Sequence, residues 1–162
     1  MKKLLILLFI PIILAGCSIK STDDYYKEKE SSGKLTASIL INCQTAVDYK
    51  DSDREKAEIL PKTSVSFDKG ESVFDVLRRI CKQKKIQFEY KGSADSVYIE
   101  GIDYLYEFNC GSLSGWEYSV NGKFPSVGCA SYKLSDGDEI RWLYTCELGA
   151  DIGDKYKGDS ND

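Results

Sequence analysis

The chain has 162 residues, with 22 basic and 26 acidic side chains, a net charge of −4 and no histidine. The acidic balance, with no strong cluster of Lys and Arg, excludes nucleic acid and anionic membrane as charge-recognised partners. The missing histidine removes Ser-His-Asp and Cys-His catalysis and the commonest ligand of catalytic zinc.

At the start, Met1-Lys2-Lys3 is a positive n-region, and Leu4 to Leu14 is an apolar run too short to span a bilayer comfortably. Leu14-Ala15-Gly16-Cys17 is a small-residue cleavage site ending in cysteine. The pattern resembles the bacterial lipobox, which implies removal of residues 1–16 and diacylglyceryl attachment to Cys17. The expected location is the extracytoplasmic face of the cell membrane, held there by the lipid on Cys17. Loss of Lys2 and Lys3 takes the basic count from 22 to 20 against 26 acids, a mature net charge of −6.

From Ser18 to Gly33 the chain is Ser, Lys, Asp, Glu and Tyr with almost no aliphatic content, so residues 17–33 read as a lipidated tether. A flexible coil of this length spans about 20 to 24 Å. Leu35, Ala37, Ile39, Ile41 and Cys43 then alternate with Thr36, Ser38 and Asn42, Leu40 being the one apolar residue on the second face, and predict a first strand. Gln44 to Lys62 reads as a long charged connection with a short helix around Asp53 to Leu60. Val65 and Phe67 alternate into a second strand that ends at the Asp68-Lys69-Gly70 turn. Ser72 with Asp75 three residues on is a capping-box start, and Val73, Val76, Leu77, Ile80 and Cys81 form one apolar stripe, predicting a helix over 72–84.

Ile86, Phe88 and Tyr90 give a third strand, and short extended pieces follow at Val97 to Ile102 and Tyr104 to Phe108. Trp116, Tyr118 and Val120 alternate with Glu117 and Ser119, and Asn121-Gly122 offers the positive φ values of a two-residue hairpin turn. Two readings of this stretch stay open: core aromatics, or a recognition edge at the tip with Lys123, Phe124 and Pro125. Glu139 to Cys146 is the last strand, entered through Asp136-Gly137-Asp138, and residues 150–162 are expected to be disordered. Strand, strand, helix, then several strands is an α+β order in one domain, residues 34–149.

With Cys17 lipidated, Cys43, Cys81, Cys110, Cys129 and Cys146 remain, an odd number in a setting that permits disulfides. Spacing does not choose their pairing. Gly111-Ser112-Leu113-Ser114-Gly115 has Leu113 where the nucleophile of G-x-S-x-G would stand, and there is no C-x-x-C pair or Gly-rich phosphate loop. Asp136 with Asp138, and Asp151 with Asp154, lack the spacing of an EF-hand loop and read as turn and tail chemistry. No enzyme, no metal and no cofactor are expected.

Gly115-Trp116-Glu117-Tyr118-Ser119-Val120-Asn121-Gly122 and the later Leu134-Ser135-Asp136-Gly137-Asp138-Glu139-Ile140-Arg141-Trp142-Leu143-Tyr144 carry two motifs in order, G-W-x-Y-x-V-N-G and L-x-x-G-D-x-I-x-W-x-Y. Through them, and through Val73 to Leu77 and Tyr98 to Ile102, the chain resembles the uncharacterised bacterial extracellular domains grouped with the C-terminal domain of transcobalamin and intrinsic factor. The resemblance covers roughly residues 35 to 149. It implies a β-grasp fold outside the cytoplasm, in which the first and last strands lie side by side and parallel. On that arrangement Cys43 and Cys146 are expected to pair, Cys110 and Cys129 to staple the base of the hairpin, and Cys81 to stay free under the helix.

The function implied is a noncatalytic module that binds a corrinoid or another small ligand, with Trp116, Tyr118, Asn121, Phe124 and Tyr132 as the candidate face. The competing reading is a structural or protein-interaction module of the cell envelope, using the tip or an open sheet edge.

Overall fold

The structure, a computed structural model, describes residues 33–49 and 54–154. The signal segment, Cys17, nearly all of the tether and the end of the tail lie outside the described residues. Within them the chain is a mixed α+β arrangement of two sheets and two helices.

β1 (Leu35–Asn42) buries Ala37, Ile39 and Ile41 on one face, as its alternation requires. It pairs in parallel with β7 (Glu139–Thr145), placing Ile41 beside Trp142, and antiparallel with β2 (Glu58–Phe67) on its other side. β7 also pairs antiparallel with β6 (Gly115–Val120), which completes a four-stranded sheet in the order β2-β1-β7-β6. β3 (Phe88–Lys91), β4 (Tyr98–Ile102) and β5 (Leu105–Tyr106) form a second, three-stranded sheet.

The connection after β1 differs from expectation. A short helix, α1, forms at Gln44–Asp48, not near residue 53, and β2 starts at Glu58, seven residues before Val65. Pro61 hid this strand, since proline cannot donate to a ladder. β2 tolerates it because it is an edge strand, and the register with β1 slips at this point, from Ile39 opposite Thr63 to Ile41 opposite Leu60.

α2 (Val73–Lys84) starts where its capping box places it: the Ser72 side chain accepts from the Asp75 N–H, and Asp75 accepts from the Ser72 N–H at 2.9 Å. Two further N–H groups at this end are satisfied by the 129–132 loop: Val73 donates to the Tyr132 carbonyl and Phe74 to that of Cys129, both at 3.1 Å. Lys85 ends the helix in the left-handed region, and the Ile86 N–H closes back on the Cys81 carbonyl at 2.9 Å. Six α2 side chains are buried, Val73, Phe74, Val76, Leu77, Ile80 and Cys81, and they share one hydrophobic core with both sheets. At about 1.5 to 3 kcal/mol for each large aliphatic or aromatic side chain, this stripe holds the helix in place far more than its propensity does.

Beyond β7, Ala150–Ile152 form a single 3-10 turn, so the ordered chain runs past residue 149. The Asp151 carboxylate supplies the reason: it accepts from the Cys146 N–H at 2.7 Å and from the Thr145 hydroxyl, tying the turn to the end of β7.

All five described cysteines are free thiols, so neither the Cys43–Cys146 nor the Cys110–Cys129 bond is formed. Cys43 is turned away, its thiol donating to the carbonyls of Lys56 and Ala57 at 3.4 and 3.3 Å. Cys129 is engaged with the start of α2 through its carbonyl, and its thiol is pushed up to about 11 by burial. Cys81 is buried under the helix and held at about 12, again by burial, which keeps it inert.

Candidate functional site

The Asn121-Gly122 turn forms as its residues dictate. Both carry positive φ, 53° and 74°, and Val120 and Lys123 exchange both N–H···O bonds, at 2.9 and 3.0 Å. The return strand does not form. Lys123 makes one isolated bridge to Val120, and β6 takes β7 as its partner across the intervening loop. Pro125 has no N–H to offer a ladder, whereas Glu139 to Thr145 offers seven paired or pairable residues with alternating apolar side chains.

The turn is fixed to the start of β7. Asn121 donates its N–H to the Glu139 carbonyl and its Nδ2 to Asp138 Oδ1, at 2.9 and 2.8 Å, and its Oδ1 accepts from the Glu139 N–H. Asp138, itself buried, also accepts from the Ser135 N–H at 2.8 Å. Asp136 caps β1 by accepting from the Thr36 N–H at 2.7 Å. Both aspartates are therefore occupied in holding turns.

The five candidate ligand-face residues separate by burial. Trp116 lies in the core: its indole N–H donates to the Leu105 carbonyl at 2.8 Å and its ring meets Tyr144 edge-on at 5.2 Å. Tyr118, Phe124 and Tyr132 are half-buried, and Asn121 is exposed. Tyr118 links Tyr132 to the core, with its ring 6.2 Å from Tyr132 and 5.5 Å from Trp142, while its hydroxyl donates to the Val127 carbonyl at 2.6 Å. Trp142 is 2% exposed, yet its indole N–H has no acceptor among the described residues. The aromatic group Tyr118, Tyr132 and Trp142 thus combines half-exposed rings with a buried, unpaired donor.

One acidic group was not legible in the sequence. Glu117, on β6 opposite Leu143, has its carboxyl raised to about 7, first by burial and then by the charges of Asp154 and Asp151. Alternation placed Glu117 on the polar face but could not show that residues 150–154 fold back against it. Between about pH 4.5 and 7 the folded chain holds a proton that the unfolded chain releases, so this contribution is fully present below about 4.5 and is lost as pH rises through about 7. With no histidine to titrate in the window, Tm is expected to fall between pH 5 and 8, and Glu117→Gln to flatten that fall. A wild-type Tm that climbs over this interval contradicts the assignment.

Haptocorrin, solved in complex with Cbi, aligns at a TM-score of 0.51 and 18% identity over 79% of this chain, and the match spans 29% of haptocorrin's length. At that identity the likeness is one of fold. A protein from Ruminococcus gnavus ATCC 29149 proposed to bind metal aligns at a TM-score of 0.45 and 11% identity, over 69% of this chain and 97% of its own. No curated protein matches the chain. Residues 70–145, which run from the turn before α2 to the end of β7, match the family model of a domain of unknown function, DUF4430.

Proposed function

We propose that this chain is a noncatalytic recognition module with a β-grasp fold, tethered by lipid on Cys17 at the extracytoplasmic face of the membrane, and that it binds a small ligand of corrinoid type. The observation that carries the ligand reading is the aromatic group beneath the hairpin tip: Tyr118 and Tyr132 half-exposed, with the buried indole donor of Trp142 unpaired among the described residues. A flat conjugated ligand is held by such rings through stacking and apolar contact, and a buried donor gives it orientation. The likeness in fold to haptocorrin, whose solved complex holds Cbi, supports the choice of ligand class. The parallel pairing of β1 with β7 and the helix between β2 and β3 support the β-grasp reading. The Leu14-Ala15-Gly16-Cys17 motif supports the anchor.

The envelope-interaction reading would use an open edge of the larger sheet. The β2 edge carries Pro61 and a register slip, devices that blunt strand addition.

The test is titration of cobinamide into the full chain in detergent, followed by tryptophan fluorescence and checked by equilibrium dialysis. Saturable binding is expected, weakened at least about tenfold, or 1.4 kcal/mol, by Phe124→Ala. Absence of saturable binding sinks the corrinoid reading. The same preparation should partition into the detergent phase through its lipid, and a wholly aqueous distribution would remove the anchor.

A further inference from the structure

A second feature lies at the opposite end of β6 and β7 from the tip. The antiparallel register sets Gly115 against Thr145, so the residues just outside the ladder, Ser114 and Cys146, come next to each other in space. The 110–114 turn is drawn onto this end by a convergent set of bonds. The Cys110 N–H donates to Ser114 Oγ at 3.0 Å, the Tyr144 hydroxyl donates to the same oxygen at 3.1 Å, and Ser114 Oγ in turn donates to the Gly111 carbonyl at 2.8 Å. The Leu148 N–H donates to the Leu113 carbonyl at 3.0 Å, closing the far side of the turn. Cys146 continues the Trp142, Tyr144 alternation and therefore shares the face on which Tyr144 meets this turn. The Cys110 thiol lies close enough to raise that of Cys146.

From this geometry we infer that Cys110 and Cys146 are a redox pair that closes into a disulfide, fastening the 110–114 turn to the end of β7.

The choice of partner is decided by surroundings. Cys43 also lies near Cys110, but it is fully buried and its thiol is committed to two carbonyls. Cys129 is held at the start of α2. Cys146 alone among the five is half-exposed, so an external oxidant reaches it first. Burial, with the Cys110 thiol beside it, raises the Cys146 thiol to about 12, so the pair oxidises slowly at neutral pH. With a small-molecule disulfide such as oxidised glutathione, the Cys146 thiolate attacks one sulfur, releasing one glutathione thiolate and leaving a mixed disulfide. The Cys110 thiolate then attacks the Cys146 sulfur and releases the second glutathione. Two thiols and one external disulfide become one internal disulfide and two thiols, with both electrons passing to glutathione.

The experiment equilibrates the full chain with oxidised and reduced glutathione, blocks residual thiols by alkylation, and maps tryptic peptides without reduction. Cleavage after Lys91, Lys123, Lys133, Arg141 and Lys155 places Cys110, Cys129 and Cys146 in separate peptides. The expected result is one crosslink joining peptide 92–123 to peptide 142–155, with Cys43, Cys81 and Cys129 alkylated. Cys146→Ser should abolish that crosslink and Cys43→Ser should leave it in place, each with an unchanged circular dichroism spectrum. A Cys43–Cys110 or Cys110–Cys129 crosslink in the wild type overturns the proposal. So does full alkylation of all five thiols under the most oxidising ratio.

Discussion

Replacing Trp142 with Ala is expected to cost about 3 to 5 kcal/mol of folding stability, while Phe124→Ala costs less than about 1 kcal/mol. Trp142 stands at the centre of the larger sheet, paired with Ile41 of β1 on one side and Tyr118 of β6 on the other, and is 2% exposed. Its indole N–H makes no bond among the described residues, so the variant loses no hydrogen bond and the whole effect is lost packing and the cavity left behind. Phe124 is half-buried in a segment that has left the ladder, where truncation removes little contact that folding depends on. Urea denaturation of both variants reads the difference as a shift in midpoint at constant slope. Equal destabilisation would mean that the tip is a structural element and that a ligand face must be sought elsewhere.

The elements that could be read from the residues were those whose signals are local. The α2 stripe, the Ser72 and Asp75 capping box and the Asn121-Gly122 turn each depend on neighbours within a few positions, and each is present as expected. The alternation in β1, β6 and β7 likewise survives in their burial patterns. What failed were features set by distant partners. β2 extends over Pro61 because β1 accepts a register slip there, which nothing within Glu58 to Phe67 announces. The strand beyond Gly122 is missing because β7 competes better for β6. The cysteine pairing was argued from strand order, and the strands do lie as argued, with β1 parallel to β7. Strand order nevertheless says nothing of the 110–114 turn, which the Tyr144 to Ser114 bond and the Gly115 to Thr145 pairing hold against the end of β7, where Cys146 stands. Of the candidate ligand face, Trp116 proved to be core while Tyr118, Phe124, Tyr132 and Asn121 remain at or near the surface. Alternation alone cannot separate those outcomes, because Trp116 and Tyr118 share a phase and differ only in what lies above them.

Phe74→Ala is expected to be as damaging as Trp142→Ala, at about 3 to 5 kcal/mol, and for a different structural reason. Phe74 is on the first turn of α2, 2% exposed, with its ring edge-on to Tyr90 at 4.8 Å and 6.3 Å from Phe88, both on β3. The Arg78 guanidinium lies 6.0 Å from the same ring centroid, one helical turn along. The residue therefore joins the helix to the smaller sheet, whereas Trp142 belongs to the larger one. Its own N–H donates to the Cys129 carbonyl, a backbone bond that the substitution leaves intact, so the loss again measures packing. Phe74→Leu keeps most of the volume and should cost less than half as much, since apolar swaps near constant volume are tolerated best. Denaturation curves for the two variants provide the check. A Phe74→Ala loss below about 1 kcal/mol would show that α2 does not rest on β3, and the contact that unites the two sheets through this helix would have to be assigned to other residues.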